Sequence, residues 1–177
     1  MNMQTNKDLK GLGGWLILIA LGLIVTPLRV AFAFGPLYYG IFTDGTFTHV
    51  ITPGSELYNP AWAALVVFEA LFNSLLILTF VYLIYLFFSR HYLFPKVYIA
   101  TLIVSFAFVP VDSWIVSLIV PDEPIFDPST TKEFVRGLIS VVVWVPYILV
   151  SKRVKATFVE HRPDAEPKPR ASLIEPG

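Results

Sequence analysis

Along the 177 residues, apolar positions gather into four long runs, with polar and proline-containing stretches between them. A helix needs about 20 largely apolar residues to cross a hydrocarbon layer of about 30 Å. Runs at about 12–34, 62–88, 97–120 and 134–150 meet that requirement or come close to it. The fourth is the shortest, and it spans only if Arg136 near one end and Lys152 at the other extend toward the headgroups. The pattern predicts an all-α membrane protein, a four-transmembrane-helix bundle. A short N-terminal segment (1–11) precedes the membrane domain (12–150), and a basic tail (151–177) follows it.

Charge adds direction to this layout. Lys7 and Lys10, Arg90 and Lys96, and Lys152, Arg153, Lys155, Arg162, Lys168 and Arg170 all fall on one side of a four-span topology. The other side carries Lys132 and the helix-end Arg136 beside Asp44, Glu56, Asp122, Glu123, Asp127 and Glu133. Because Lys and Arg accumulate in cytoplasmic segments, both termini are expected inside. A cleavable signal peptide is the competing reading of Lys7, Lys10 and the following apolar run to Ala31-Phe32-Ala33. That run is too long for a signal peptide, and Pro27 and Arg29 interrupt the approach to a cleavage site, so the first helix is expected to be retained.

Between the first two runs, Asp44-Gly45 separates two short β-branched and aromatic stretches, Ile41 to Thr43 and Thr46 to Thr48. This predicts a short extracytoplasmic β-hairpin, read either as a surface loop or as a docking edge for a partner. The second outer loop, 121–132, is acidic and rich in proline, without the regular ligand spacing of a calcium loop. Beyond Lys155 the chain mixes charges with Pro163, Pro167, Pro169 and Pro176 and is expected to be disordered.

Composition excludes several kinds of chemistry. With 55% hydrophobic and 15% charged residues and a mean hydropathy of +0.68, the chain has more apolar surface than a soluble core of this size can hide. A formal charge of zero gives no reason to expect nucleic acid. The absence of cysteine excludes disulfides, thiolate metal sites and a catalytic thiol. His49, His91 and His161 fall in an outer loop, an inner loop and the tail, so a shared histidine metal site is not expected, nor is any cofactor.

The candidate chemistry lies within the runs. An ionisable group in hydrocarbon costs about 3 kcal/mol on insertion scales unless it meets a partner or water. Four such groups occur: Arg29, Glu69, Asp112 and Arg136. Because successive spans alternate in direction, all four fall toward the outer part of the membrane, with Arg136 the shallowest. Two cations and two anions at one level are expected to neutralise each other, and Asn73, one turn from Glu69, extends the cluster. Pro27 and Pro110 each stand two residues before a charge, and Pro146 interrupts the fourth run, so kinks are expected at all three. The cluster is read either as a packing device or as a site that takes up a proton, a cation or an anionic headgroup.

At Gly11-Leu12-Gly13-Gly14-Trp15-Leu16-Ile17-Leu18, continuing to Thr26-Pro27-Leu28-Arg29, the chain resembles the bacterial membrane family known as domain of unknown function 2569. Gly13, Gly14, Trp15, Pro27 and Arg29 are the family-like positions. The resemblance implies a multi-pass protein of the bacterial inner membrane and brings no activity with it. Two functions are open from the residues: an accessory or scaffold subunit that binds another membrane protein, and a small oligomeric transporter or lipid- or proton-handling protein built on the polar cluster. Lipids, another membrane protein or a second copy are the expected partners. No catalytic constellation is found, so an enzyme is not expected.

Overall fold

The computed structural model describes residues 11–120 and 124–159, and every regular element among them is a helix. In chain order these are α1 (Trp15–Thr43), α2 (Thr46–Ile51), α3 (Pro60–Phe88), α4 (Phe94–Ile119), α5 (Pro128–Val150) and α6 (Lys152–Thr157). The four long ones, α1, α3, α4 and α5, are each long and apolar enough to cross a membrane. Their outward faces are greasy, with Phe32 78% and Val150 72% exposed, as lipid-facing side chains should be. The chain is a multi-pass membrane protein.

Local chemistry sets the helix starts. Asn59 caps α3 by accepting from the Trp62 amide at 3.0 Å, with Pro60 in the first turn, where its missing donor costs nothing. Asp127 caps α5 in the same way, through the Thr130 amide at 2.6 Å, ahead of Pro128. α3 ends in a reversal where the Arg90 amide donates to the Phe87 carbonyl and the His91 amide to the Leu86 carbonyl. This is a Schellman closure, with Arg90 in the left-handed position at φ 53°.

The spans are longer than the hydropathy runs. α1 reaches Thr43 instead of residue 34, and α5 starts at Pro128 instead of residue 134. Gly35-Pro36 does not end α1, and the helix also passes through Pro27. A proline removes one backbone bond, whereas unwinding the helix beside lipid would strand many.

The expected β-hairpin is replaced by a helix–turn–helix. Ile41 to Thr43 complete α1, and Thr46 to Thr48 open α2. Asp44-Gly45 is a turn, as its composition suggests, but it joins two helices: Gly45 takes φ 89° and Asp44 Oδ1 accepts from the Thr46 amide at 2.8 Å. Phe42 and Phe47 meet across it at 4.9 Å. The α-helical bonds of the chain on both sides outweigh the weak β-preference of the flanking residues.

The start of the tail is also ordered. Lys152–Thr157 is helical, capped by Ser151, and Val154, Thr157 and Phe158 are buried. The expected disorder beyond Lys155 is thus corrected for 156–159, while 160–177 lie outside the described residues, as do 1–10 and 121–123.

Close packing joins α1 to α3, α3 to α4, and α4 to α5. α1 and α5 meet mainly through side chains: Trp15 lies 6.3 Å from both Trp144 and Tyr147. The tight core occupies the half of the bundle near the described chain ends. There Leu16, Ile19 and Leu23 of α1 pack with Leu83, Leu86 and Phe87 of α3 and with Phe94 of α4. Phe158 closes that end, 4.5 Å from the Phe94 ring and 5.6 Å from that of Phe87. The segment before α1 and the end of α6 are tied together where the Gly11 amide donates to Thr157 Oγ1 at 3.2 Å.

Candidate functional site

Away from this core the four spans separate around a cavity of about 390 Å³, lined by α1, α3, α4 and α5. Its floor is apolar, formed by Leu76, Phe80 and Leu102, which belong to or pack against the core. Its upper walls carry the charges. Arg29, Glu69, Asn73, Asp112 and Arg136 all line it. Helix rise and alternating direction bring them to one level; rotation about each helix axis then decides who meets whom.

The pairing differs from the expected neutralisation of two arginines by Glu69 and Asp112. Arg29 donates from Nη1 and Nη2 to Glu133 Oε1 and Oε2, both at 2.9 Å. Arg136 Nη1 donates to the same Oε1 at 2.8 Å. One carboxylate on α5 therefore holds two guanidinium groups, one of them in the parallel two-bond geometry that suits arginine. The early start of α5 is responsible. It places Glu133 one turn before Arg136 on the same face, with Arg136 more than two turns inside the helix. The longer α1 likewise puts Arg29 at its midpoint instead of near its end.

On the other wall, Glu69 on α3 and Asp112 on α4 both line the cavity. Asn73 extends this wall differently from the expectation: its Nδ2 donates to the Glu69 backbone carbonyl and to the Tyr38 hydroxyl, both at 3.0 Å. Two polar atoms on the cavity lining, Asp112 Oδ1 and Ser105 Oγ, are buried without a hydrogen-bond partner in the protein. An orphaned acceptor of this kind is expensive in a membrane interior, and a bound donor would relieve it.

Glu133 and Tyr38 escaped the sequence reading because both fell outside the apolar runs. The spacing of Glu133 and Arg136, three apart, was the available signal for the first. Ser105 gave none. Gly137 lets α4 and α5 approach closely beside the cavity, since a Cβ there would stand 3.1 Å from the Phe106 ring. Phe106 is also the residue whose carbonyl loses its helical donor to Pro110; the helices run through Pro110 and Pro146 without a break.

The family-like residues divide between the two ends. Pro27 and Arg29 belong to the cavity half of α1, whereas Gly13, Gly14 and Trp15 build the closed end. A Cβ on Gly13 would meet Arg153 Nη1 at 3.0 Å, so glycine lets that side chain settle against the backbone. Gly14 precedes α1 with φ 61°, which glycine adopts without strain. Among the described residues no three His, Cys, Asp or Glu side chains are grouped to hold a metal ion.

No curated protein and no solved structure matches the chain. A family model described as "Protein of unknown function (DUF2569)" matches residues 9–159, continuously from the glycine-rich start of α1 to the Phe158 closure, and the chain belongs to that family.

Proposed function

We propose that the protein is a membrane-embedded binding protein that takes a small charged or amphiphilic ligand into the cavity between its four spans. The observation that carries this is the division of one cavity into a wall with two arginines and a wall with two carboxyl groups, one of whose oxygens has no partner. At about 390 Å³ the space falls within the range of small-ligand sites, about 300–1,000 Å³.

Orientation follows from charge. Arg90, Lys96, Lys152, Arg153 and Lys155 lie at the closed end, and their positive charge supports a cytoplasmic placement of that end, with the cavity toward the outer leaflet. The family resemblance supports a bacterial inner membrane. The other reading, an accessory or scaffold subunit that binds another membrane protein, drew on small size, the lack of a catalytic constellation and an exposed hairpin; a helix stands in the hairpin's place, and the cavity favours the binding reading.

The test is native mass spectrometry of the protein released from mild detergent. Retained small molecules that are lost in the Arg29→Ala/Arg136→Ala double variant are expected. A stoichiometric protein partner, with no small molecule held by the wild type, would show the accessory role instead.

A further inference from the structure

The proposed cavity function leaves the ligand undefined, and the chemistry of the walls narrows it. On the α1–α5 side, two guanidinium groups share one carboxylate, an excess of one positive charge. Of the five donors on each arginine, Arg29 uses two on Glu133 and Arg136 uses one, so several are left for a multi-oxygen anion without displacing Glu133. The opposite wall carries two carboxyl groups, those of Glu69 and Asp112, and the orphaned Asp112 Oδ1 needs a donor. Beneath both, the cavity turns apolar toward Leu76, Phe80 and Leu102. A dipolar top above a greasy floor matches an amphiphile whose head bears an anion and an N–H donor.

We infer that the cavity binds the headgroup of a phospholipid bearing a primary amine, its phosphate on Arg29 and Arg136 and its ammonium on Asp112 and Glu69. This deepens the binding function proposed above and rests on it. Phosphate carries more acceptor oxygens than a carboxylate, so it can take the remaining N–H donors of both guanidinium groups alongside Glu133. A primary ammonium offers three N–H donors, so one can satisfy Asp112 Oδ1 while another reaches Glu69. A trimethylated amine has none, and a glycerol headgroup has no positive charge.

The test is competition for the full-length protein in detergent, read by native mass spectrometry, with dihexanoyl phosphatidylethanolamine, dihexanoyl phosphatidylglycerol, dihexanoyl phosphatidylcholine and free phosphoethanolamine as probes. The ethanolamine lipid is expected to bind at least about tenfold more tightly than the glycerol and choline lipids, the scale expected for satisfying a buried charged acceptor. Asp112→Asn, which keeps shape, should remove that preference while leaving phosphate-dependent binding, and Arg136→Gln should weaken every lipid. If free phosphoethanolamine binds as tightly as the lipid, the recognised amine and phosphate belong to a soluble molecule, and the lipid assignment is overturned. Equal affinity for the glycerol and ethanolamine lipids overturns the amine assignment but leaves the cavity as a binding site. No binding of any probe overturns the headgroup inference; the separate loss-of-ligand experiment on the double arginine variant then decides whether the cavity function survives.

Discussion

Arg29 of α1 and Glu133 of α5 stand 104 residues apart in sequence and meet through two parallel N–H···O bonds of 2.9 Å. They join the two spans that otherwise touch mainly through the aromatic contacts of Trp15, at the opposite end. Removing Glu133 would leave Arg29 and Arg136 facing each other without a shared anion. Glu133→Gln is therefore expected to destabilise the bundle by roughly 1–3 kcal/mol, between the values for exposed and buried pairs. Adding Arg29→Gln should recover part of that loss, whereas Arg29→Lys, lacking the fork, should not. Unfolding midpoints in mixed detergent micelles give the comparison, and a Glu133→Gln midpoint equal to wild type would show that the pair bears no load.

Phe158 makes a separate point about the segment after α6. It is 2% exposed and packs on Phe87 and Phe94, although it follows the last membrane-spanning helix. Phe158→Ala should cost about 3–5 kcal/mol, as for other buried aromatic truncations. Phe158→Leu, which keeps much of the volume, should cost less. The same detergent titration ranks them, and near-wild-type stability for the alanine variant would mean that the terminal segment does not contribute to the fold.

The four spans were legible because lipid imposes a length of apolar sequence, and the shared level of Arg29, Glu69, Asp112 and Arg136 was legible because rise and direction set depth. What sequence left open was rotation. These helices are apolar on nearly all sides, so no stripe marks which face turns inward; the spacing of Glu133 and Arg136 was a signal for one pair, whereas the partner of Arg29 had none. The ends were misjudged for a different reason. Pro36 and the polar 128–133 stretch resemble loops, yet Asp127 and Pro128 together form an efficient helix start. Asp44-Gly45 shows the limit of local signals: a turn was there, but whether it joins strands or helices depended on the chain on either side.

Arg90 supplies a test of strain against charge. Its left-handed backbone, φ 53°, completes the Schellman closure between α3 and α4, a position that usually belongs to glycine. For an L residue the conformation costs about 1–2 kcal/mol. Arg90→Gly should therefore fold at least as stably as wild type, and Arg90→Val, with a branched Cβ, should lose roughly 1–2 kcal/mol. Thermal unfolding in detergent measures both. A glycine variant less stable than the valine variant would place the importance of Arg90 in its charge and not in its backbone.

Asp127 carries a pH dependence whose sign follows from its cap. Hydrogen bonds from Thr130, through side chain and amide, and from Ser129 hold its carboxylate down to about 2. In the unfolded chain the same group titrates near the ordinary aspartate value of about 3.9. Because the folded pKa is depressed, the cap contributes fully above the unfolded value and is lost as pH falls through about 2. Asp127→Ala should then lower the melting temperature at neutral pH, where the capping oxygen is ionised. The gap between variant and wild type should narrow steadily as pH falls from the unfolded pKa toward the folded one. Asp127→Asn retains an acceptor for the Thr130 amide and should sit between the two, with less pH dependence than wild type. Melting curves of the three proteins across an acidic pH series test the set together. A wild-type-to-alanine gap that stays constant over that window would mean that the ionised carboxylate does not act on α5, and that Pro128 alone is enough to start the helix.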